Sequence, residues 1–419
     1  MRKNSSYDVV VVGGGVAGVA AAIGASQAGA KTILLERSPY FGGEGTHAGV
    51  NSLGGFYTRG EEPILVTGGV GTMVREELAR LGHPSDTVIS QAGNHVLTFD
   101  PEYMKLALDR VMRQSESDFL LHCQVIGATS RDGILTGVEC VDDEGRFFLE
   151  GGSFVDTSGN SLLAHLTGAS VFIGDEDGKR QVATMAMRIS GVSPDVEVTR
   201  QSVTNAVQLG KKAGIPHLAK ETGGIMRRGR EDIVVLLIPS FSHTDLGCQV
   251  LTEIELSARE QARYYVTALQ RFHPGMERIH LIETGPSIGI REGRRTVGEE
   301  VLTGEDVWGL KKIEKAAARG AWSPEIHRST QVLDSYEKLP DGGWFHIPVG
   351  ALKARDICNL WCGGRTISAD FIAYAAIRVM GCGFATGHAA GVAAALSKEN
   401  EVFSVACMQR ELLRQGAII

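Results

Sequence analysis

Near the amino end, apolar positions come in unbroken runs rather than alternations. Asp8 to Val12 reads DVVVV and stops at three glycines, the pattern of a parallel strand buried on both faces. Gly13 to Gly18 is then a turn. An alanine-rich helix is predicted from about Val16 to Ala28, closed by Gly29, and Lys31 to Glu36 is a second apolar strand that ends in an acid. These pieces make one β-α-β unit.

Further along, Gly42 to Gly71 is glycine-rich and irregular and Thr72 to Leu81 reads as helical. Asp100 to Gln114 is an amphipathic helix opened by an Asp-Pro start. Short β-type runs follow at Phe119 to Cys123, Val125 to Thr129, Ile134 to Asp142 and Arg146 to Leu149, with RDG and DDEG turns among them, and predict a small antiparallel element. Ser153 to Thr157 returns as a buried strand into the turn TSGN. From about Ser170 to Gly350 the texture changes to mixed strands (Ala183 to Ile189, Ile233 to Ile238) and a helix (Leu251 to Phe272), with charge clusters at Arg227 to Asp232 and Arg291 to Arg295. Asn359 to Gly363 is again a short apolar strand, and a glycine- and alanine-rich helix runs from about Gly383 to Ser397. No internal repeat or low-complexity segment is visible. The expected organisation is an α/β domain with a central parallel sheet, built from residues 1–169 and 351–419. An inserted α+β substrate or cap domain occupies residues 170–350.

Composition narrows the picture. Forty-two basic residues against 49 acidic give a net charge of −7, which provides no field to concentrate phosphate backbones or anionic lipid, so neither nucleic acid nor a membrane is an expected partner. Glycine, at 53 of 419 residues, is in excess and implies many tight turns and close backbone approaches. The seven cysteines are scattered with no CxxC pair, so neither a disulfide framework nor a zinc cage is signalled, no metal is expected, and a cytoplasmic location fits. Val9 to Ala30 and Val379 to Ser397 lack Asp, Glu, Lys and Arg, but their glycines suit strand-to-helix turns better than membrane spans. The start MRKNSSYD does not read as a signal peptide.

The strongest chemical signal is DVVVVGGGVAG followed by ILLE. Gly13 allows the tight turn, Gly15 lets backbone approach a pyrophosphate, and Gly18 allows the helix to lie close on the strand. The helix then turns its positive N-terminal end and free N–H groups toward the phosphates. Glu36 lies eighteen positions after Gly18, at a strand end, where a carboxylate accepts both hydroxyls of an adenosine ribose and disfavours a 2′-phosphate. A glycine turn serving packing alone leaves Glu36 unexplained. The other glycine-rich stretch, TGGVGT from Thr67 to Thr72, lacks a β-α-β frame, so no second dinucleotide site is expected.

Four segments, DVVVVGGGVAGVAAAIGASQAGAKTILLERSPYFGG, FVDTSGNSLLA, ETGPSIGIREGRRTVGEEVLTGEDV and NLWCGGRTISADFIAYAAIRVMGCGFATGHAAGVAAALS, resemble in that order the FAD-dependent oxidoreductase family related to the flavoproteins of fumarate reductase and succinate dehydrogenase. The resemblance implies a Rossmann-type FAD-binding domain of the glutathione-reductase type, with FAD held non-covalently. It implies that Gly13, Gly14, Gly15, Ala17 and Gly18 hold the pyrophosphate, and Glu36 with its neighbour Arg37 the adenosine end. Gly42, Gly43 and Thr46 form a second contact loop, Val125 lies beside the adenine, and Thr157, Ser158 and Gly159 reach the cofactor. Gly364 and Arg365 approach the ribityl chain, and the stretch Met380 to Phe384, with Cys382, Gly383 and Phe384, turns N–H groups toward flavin N1 and O2. Phe371 and Ile372 stand where the family commonly has a His-Glu pair. Gly381, Cys382 and Gly383 replace its Pro-Thr-Cys, so its catalytic mechanism does not transfer directly.

Three residues are candidates for catalysis. His47, after the second contact loop, either approaches the isoalloxazine or is a loop histidine tied to backbone. Tyr374 either faces the pocket as an acid or donor or is a core aromatic. Arg378, a cation in an apolar, glycine-rich run, needs a fixed partner, whether a substrate anion, the flavin or the inserted domain. Within Arg291 to Arg295 a domain-interface role is expected over carboxylate binding, and Cys382 reads as a small packing residue. The expected activity is hydride exchange between flavin N5 and a carbon of a small organic substrate, with O2 or a separate carrier as electron acceptor. The alternatives are a monooxygenase or halogenase supplied with reduced flavin by a partner, and a protein whose FAD is structural or serves RNA modification. Composition gives no oligomeric state.

Overall fold

The protein is described by a computed structural model over residues 5–83, 87–90, 93–227, 234–237, 239–328, 337–397 and 403–419. Most of the charge cluster predicted at 227–232 and the two end residues of the strand predicted at 233–238 lie outside the described residues.

The run of valines does form a strand, β1 (Ser5–Val12), and Val9 to Val12 are almost wholly buried because β1 is paired on both sides. Helix α1 (Val16–Gln27) leads to β2 (Thr32–Leu35), parallel to β1 with Val9 opposite Thr32 and Val12 opposite Leu35. Asp118–Leu120 joins the free side of β2 in parallel, so this run belongs to the parallel sheet and not to the antiparallel element. That correction follows from position: the run re-enters the sheet after helix Pro101–Gln114, whose start is capped by the Asp100 side chain accepting from Glu102 N at 2.9 Å.

A second correction concerns the two runs at 146–149 and 153–157, which form one strand, Gly145–Asp156. One edge of it pairs in parallel with β1 along its length. The other edge serves first Ile134–Asp142, antiparallel, and then Leu360–Cys362, parallel. Gly151 and Gly152 lie in its middle, where the predicted break fell. A Cβ on Gly151 would stand 2.8 Å from Val10 and Phe154 side-chain atoms, so the glycine permits close packing and does not end the strand. Gln124–Arg131 completes the antiparallel meander.

Within 170–350 a four-stranded antiparallel sheet runs Gly224–Arg227, Val234–Leu237, Met187–Ser190, His280–Thr284, covered by helices Arg200–Lys212 and Cys248–Phe272. Met187, Ile189, Val203, Val207, Tyr265 and Leu269 form its own core. The predicted strand 183–189 is broken into Ala183–Thr184 and Met187–Ser190, which pair with different partners. Two strands of the same range, Ala316–Gly320 and Phe345–Pro348, pair with each other and pack into the main core through Ala317, Ala318, Phe345 and Ile347.

The carboxyl-terminal part supplies helix Phe371–Ile377, absent from the sequence reading, and helix Met380–Leu396, which starts one turn earlier than expected. Met380–Leu396 lies against α1 at backbone distance. A Cβ on Gly387 would fall 2.1 Å from the Ala17 carbonyl oxygen, and one on Gly391 2.0 Å from that of Ala21. This contact explains the charge-free, glycine-studded composition of both helices. Among the described residues no single helix is long and apolar enough to cross a membrane, and Phe371–Ile377 and Met380–Leu396 meet at 96°.

Candidate functional site

Two helix N-termini converge on one cleft. α1 begins at Gly15 and Met380–Leu396 at Val379; neither start has a side-chain cap or an acid in its first turn. Gly15, Val16 and Ala17 from the first helix and Val379, Met380 and Gly383 from the second line a cavity of about 190 Å³. Uncapped N–H groups and two positive dipole ends facing one space make a receptor for negative charge.

The three glycines of the turn have three different reasons. Gly13 has φ +103°, and a Cβ there would lie 2.7 Å from Ser158 Cα. At Gly18 a Cβ would fall 1.8 Å from the Gly13 carbonyl oxygen. Gly15 is the exception: a Cβ would meet only Gly43 Cα, at 3.8 Å. The protein itself leaves that space open, as expected of a backbone position meant for close approach by a ligand.

Glu36 is buried and lines the same cleft, with Oε2 accepting from Gly14 N at 2.5 Å and Oε1 from Ser38 N at 2.7 Å. Those bonds fix the carboxylate and leave acceptor capacity on both oxygens. Across the cleft the Thr157–Gly159 turn is organised by a residue the sequence reading missed. Asp156 is fully buried and accepts from Ser158 N (3.0 Å), Ser158 Oγ (2.6 Å) and Leu163 N (2.7 Å). Burial pushes its carboxyl pKa up, against those hydrogen bonds. Its signal was the single acid closing an apolar strand, as at Glu36. Asn160, at the cleft wall, has a buried Oδ1 with no partner among the described residues. These features fit the FAD that the motif implies. Glu36 would hold the ribose, the Gly15 end of α1 the pyrophosphate, and the Met380 end of the second helix the anionic edge of the ring.

Of the predicted cofactor positions, Gly13, Gly15, Ala17, Glu36, Arg37, Gly42, Gly43, Thr157, Ser158, Gly159, Gly364, Arg365 and Gly383 are brought together on the cleft. Gly14, Gly18, Thr46, Val125, Cys382 and Phe384 are not on its wall. Thr46 spends its hydroxyl on the Phe41 carbonyl at 2.6 Å, and Val125 packs in the core beside the meander. Phe384 is wholly buried edge-on to Phe56, with ring centroids 5.9 Å apart. Burial pushes the Cys382 thiol up to about 12, which leaves it a packing group.

A second cavity, of about 390 Å³, adjoins the first and shares Glu44, Ile290, Arg365, Arg378, Val379 and Met380 with it. Its remaining wall comes from scattered segments: Val50, Ser52 and Gly54; Thr184; Arg200; Lys220 and Thr222 to Gly224; Gly289 and Arg291; Trp322; Glu325 to His327; and Lys338. Arg365 pairs with Glu44 at 2.6 Å, and Arg378 donates to the Glu325 carbonyl at 2.8 Å with the Glu325 carboxylate 3.8 Å away. The partner anticipated for Arg378 is therefore Glu325, on a segment from the 170–350 range. His327 Nε2 lies 3.4 Å from Glu325 Oε1. Burial and the nearby Arg291 lower the His327 pKa to about 3, keeping the imidazole neutral. Burial opposes ionisation of Glu325 too, but His327, Arg378 and Arg291 overcome it and hold the carboxyl well below its usual range.

The three predicted catalytic residues separate. His47 lines the cleft, its Nδ1 3.4 Å from the Tyr40 hydroxyl. Arg378 lines both cavities. Tyr374 lines neither: it is fully buried, donates to the Arg291 carbonyl at 2.7 Å, and has its pKa pushed up to about 12 by burial, so it buttresses Arg291 from behind. The REGRR cluster also divides, since Arg291 reaches the second cavity while Arg295 makes a buried pair with Glu292. Trp322, Glu325 and His327, within WSPEIH, were missed; an acid and a histidine two apart beside a tryptophan were the available signal.

The sequence profile described as FAD dependent oxidoreductase matches residues 8–414. The chain belongs to the FAD dependent oxidoreductase family. A vinyl phenol reductase of Lactiplantibacillus plantarum is 49% identical over 47 residues, which is 11% of this chain and only 10% of that relative's length. Among solved structures, a flavin-dependent brominase carrying three substitutions aligns at TM-score 0.50 and 13% identity, over 96% of this chain and 84% of its own. A geranylgeranyl bacteriochlorophyll reductase-like protein from Thermoplasma acidophilum aligns at 0.49 and 13%, over 98% and 83%. At such identities the likeness concerns the fold. FAD is the cofactor of this FAD dependent oxidoreductase, and the cleft has the features that fit it.

Proposed function

We propose that this flavoprotein transfers a hydride between a small organic substrate, seated in the second cavity, and the flavin, with dehydrogenation of the substrate as the forward reaction. The observation that supports this reading is the shared wall: Arg365, Arg378, Val379 and Met380 border both cavities, where the ring end of a dinucleotide would meet a substrate. FAD, when bound, supplies the hydride-accepting centre. The Met380 helix end then stabilises negative charge at the ring, and Arg365, fixed by Glu44, holds that wall in place. His47, predicted as the group that exchanges the substrate's proton, lines the cofactor cleft and not the second cavity, so it would act from the cofactor side of the shared wall. Oxygen or a separate carrier would take the electrons. The likeness to the fumarate reductase flavoproteins rests on the four sequence segments and belongs to this same reading.

Anaerobic mixing of the oxidised holoprotein with a panel of small organic reductants tests it, with the visible flavin band as readout. Bleaching by one or more of them, with slow or no bleaching by NADH and NADPH, is expected. Rapid bleaching by a nicotinamide alone overturns the dehydrogenase reading and favours the monooxygenase.

A further inference from the structure

Residues 180–184 run from the wall of the second cavity to a group of basic side chains that neither cavity uses. Thr184 pairs with Ser240 on one side and bridges Gly289 on the other, both antiparallel. Carried on toward residue 180, the two registers bring Arg180 and Gln181 alongside His243 on one side and Gly293 and Arg294 on the other. Gln181 N accordingly donates to Glu292 Oε2 at 2.9 Å. Among the described residues Arg180 is the one arginine with two buried guanidinium nitrogens, Nε and Nη1, that lack a hydrogen-bond partner, and His243 is the one histidine with both ring nitrogens lacking one. Arg294 Nε is buried without a partner too. At Arg365 and Arg378, by contrast, the bare Nε belongs to a guanidinium that already has a carboxylate.

Burial is the largest influence on all three groups and lowers the pKa of each; Arg180 lowers that of His243 further, and Arg294 that of Arg180. The nearby carboxylates are committed elsewhere. Glu292 is bound to Arg295 and Gln181 N, Asp156 to Ser158 and Leu163, and the exposed Asp245 to Gly247 N at 2.7 Å. A bare acceptor, Asn160 Oδ1, lies against Gly293 on the wall of the cofactor cleft and bonds to neither arginine. Counted with Arg295, three arginines stand among three carboxylates, so what the group lacks is acceptors and not net negative charge. Buried donors without acceptors are costly unless a ligand supplies them.

We propose that Arg180, Arg294 and His243 form a binding site for a small tetrahedral oxyanion, phosphate or sulfate in its chemistry, either free or carried on an organic ligand. Donors arriving from three separate segments suit a tetrahedron of oxygens better than a planar carboxylate or a halide. The bound oxyanion ties strand Arg294–Thr296, which lies near Asp156 behind the cofactor cleft, to residues 180–184, where Gln181 Oε1 accepts from His327 N at 3.3 Å. It thereby braces the seam between the two cavities. The site does not depend on which reaction the flavin carries out.

The test uses FAD-loaded protein, so that added anions do not report on the cofactor cleft, at constant ionic strength. Inorganic phosphate is titrated by calorimetry and by melting temperature, with chloride and acetate as controls and glycerol 1-phosphate as a second probe. Saturable binding of about one phosphate per chain, with a rise in melting temperature, is expected. Chloride and acetate should bind at least about tenfold more weakly. Arg180→Met and Arg294→Met should each weaken phosphate at least about tenfold, and Arg180→Lys should recover part of the loss. Neither methionine variant should melt lower than the unsubstituted protein in chloride, because each removes a buried cation that no partner matches. Glycerol 1-phosphate binding as tightly as phosphate makes the occupant a ligand's phosphate group; its exclusion, with phosphate still bound, makes it a free ion. No saturable phosphate binding, chloride or acetate binding as tightly, an unaltered phosphate affinity in Arg180→Met, or a melting temperature in chloride lowered by that substitution each overturns the proposal.

Discussion

The two cavities that meet at Arg365 and Arg378 are built in opposite ways. The cofactor cleft takes its decisive residues from one contiguous stretch, Gly13 to Gly43, with the turn after Asp156 and the start of one late helix closing it. The second cavity takes a few residues each from segments between Glu44 and Met380. The first depends on backbone: N–H groups, glycine turns and a strand end. The second depends on side chains, among them the pairs of Arg365 with Glu44 and Arg378 with Glu325. A site made from backbone leaves a spacing in the sequence, whereas a site made from side chains on distant loops leaves only residues whose meeting must be seen.

The contrast is broken most severely at Gly18. Gly18→Val places atoms where the Gly13 carbonyl already stands 1.8 Å from a Cβ, at or beyond the upper end of the roughly 1–3 kcal/mol typical of overpacking. Little soluble, yellow protein should be recovered; normal yield and flavin content would mean that the turn relaxes. Glu36→Ala comes next. Losing charge-assisted bonds to the ribose should lower FAD affinity by about 1.5–3 kcal/mol, with Glu36→Arg worse, as read by equilibrium dialysis. Because the cavities are separate constructions, the affinity of reconstituted Glu36→Ala for cavity ligands should not change.

Arg378 sharpens the comparison because it belongs to both regions. Arg378→Ala should slow flavin reduction by any substrate the anaerobic panel identifies. Arg378→Lys should not restore it, since a lysine cannot hold the Glu325 carbonyl while presenting a planar second donor. Loss of thermal stability with unchanged turnover per folded molecule would reduce Arg378 to a tie between segments.

The smallest expected effect lies in the helix pair beneath the cleft. His388 is buried between α1 and the Gly68–Gly69 turn, its Nε2 2.6 Å from Gln415 Oε1. Burial lowers its pKa below the ordinary imidazole value of 6.5. The unfolded chain therefore binds a proton that the folded one resists: the stabilisation is full above pH 6.5 and falls as pH drops below it, by at most about 1.4 kcal/mol per pH unit. His388→Gln should flatten the decline of melting temperature between pH 6.5 and 5. An unaltered slope would assign that decline to other groups.

The same division governs how much was legible in the sequence. β1, α1, β2 and Glu36 could be read because burial on both faces leaves an unbroken apolar run, and the turn needs glycine at fixed spacing. The single strand Gly145–Asp156 was read as two because its glycines look like a turn until the close approach of Val10 and Phe154 is seen. Asp156 was hidden among strand residues, its role visible only through three hydrogen bonds to the next turn. Tyr374 and Phe384 shared the right segments with the cleft, but helical geometry rotates their side chains into the core. Glu325, His327 and Trp322 had no periodic signature at all, and their meeting with Arg378 joins residues more than fifty positions apart.

If the cleft between the two uncapped helix ends holds FAD, it does so by the adenosine half as well as the ring and without a covalent bond. The most direct measurement is to acid-precipitate the purified yellow protein and identify the flavin in the supernatant by chromatography. FAD in near-stoichiometric amount, over a colourless pellet, is expected. FMN in the supernatant, a pellet that stays yellow, or a colourless protein that FAD does not reconstitute would contradict it.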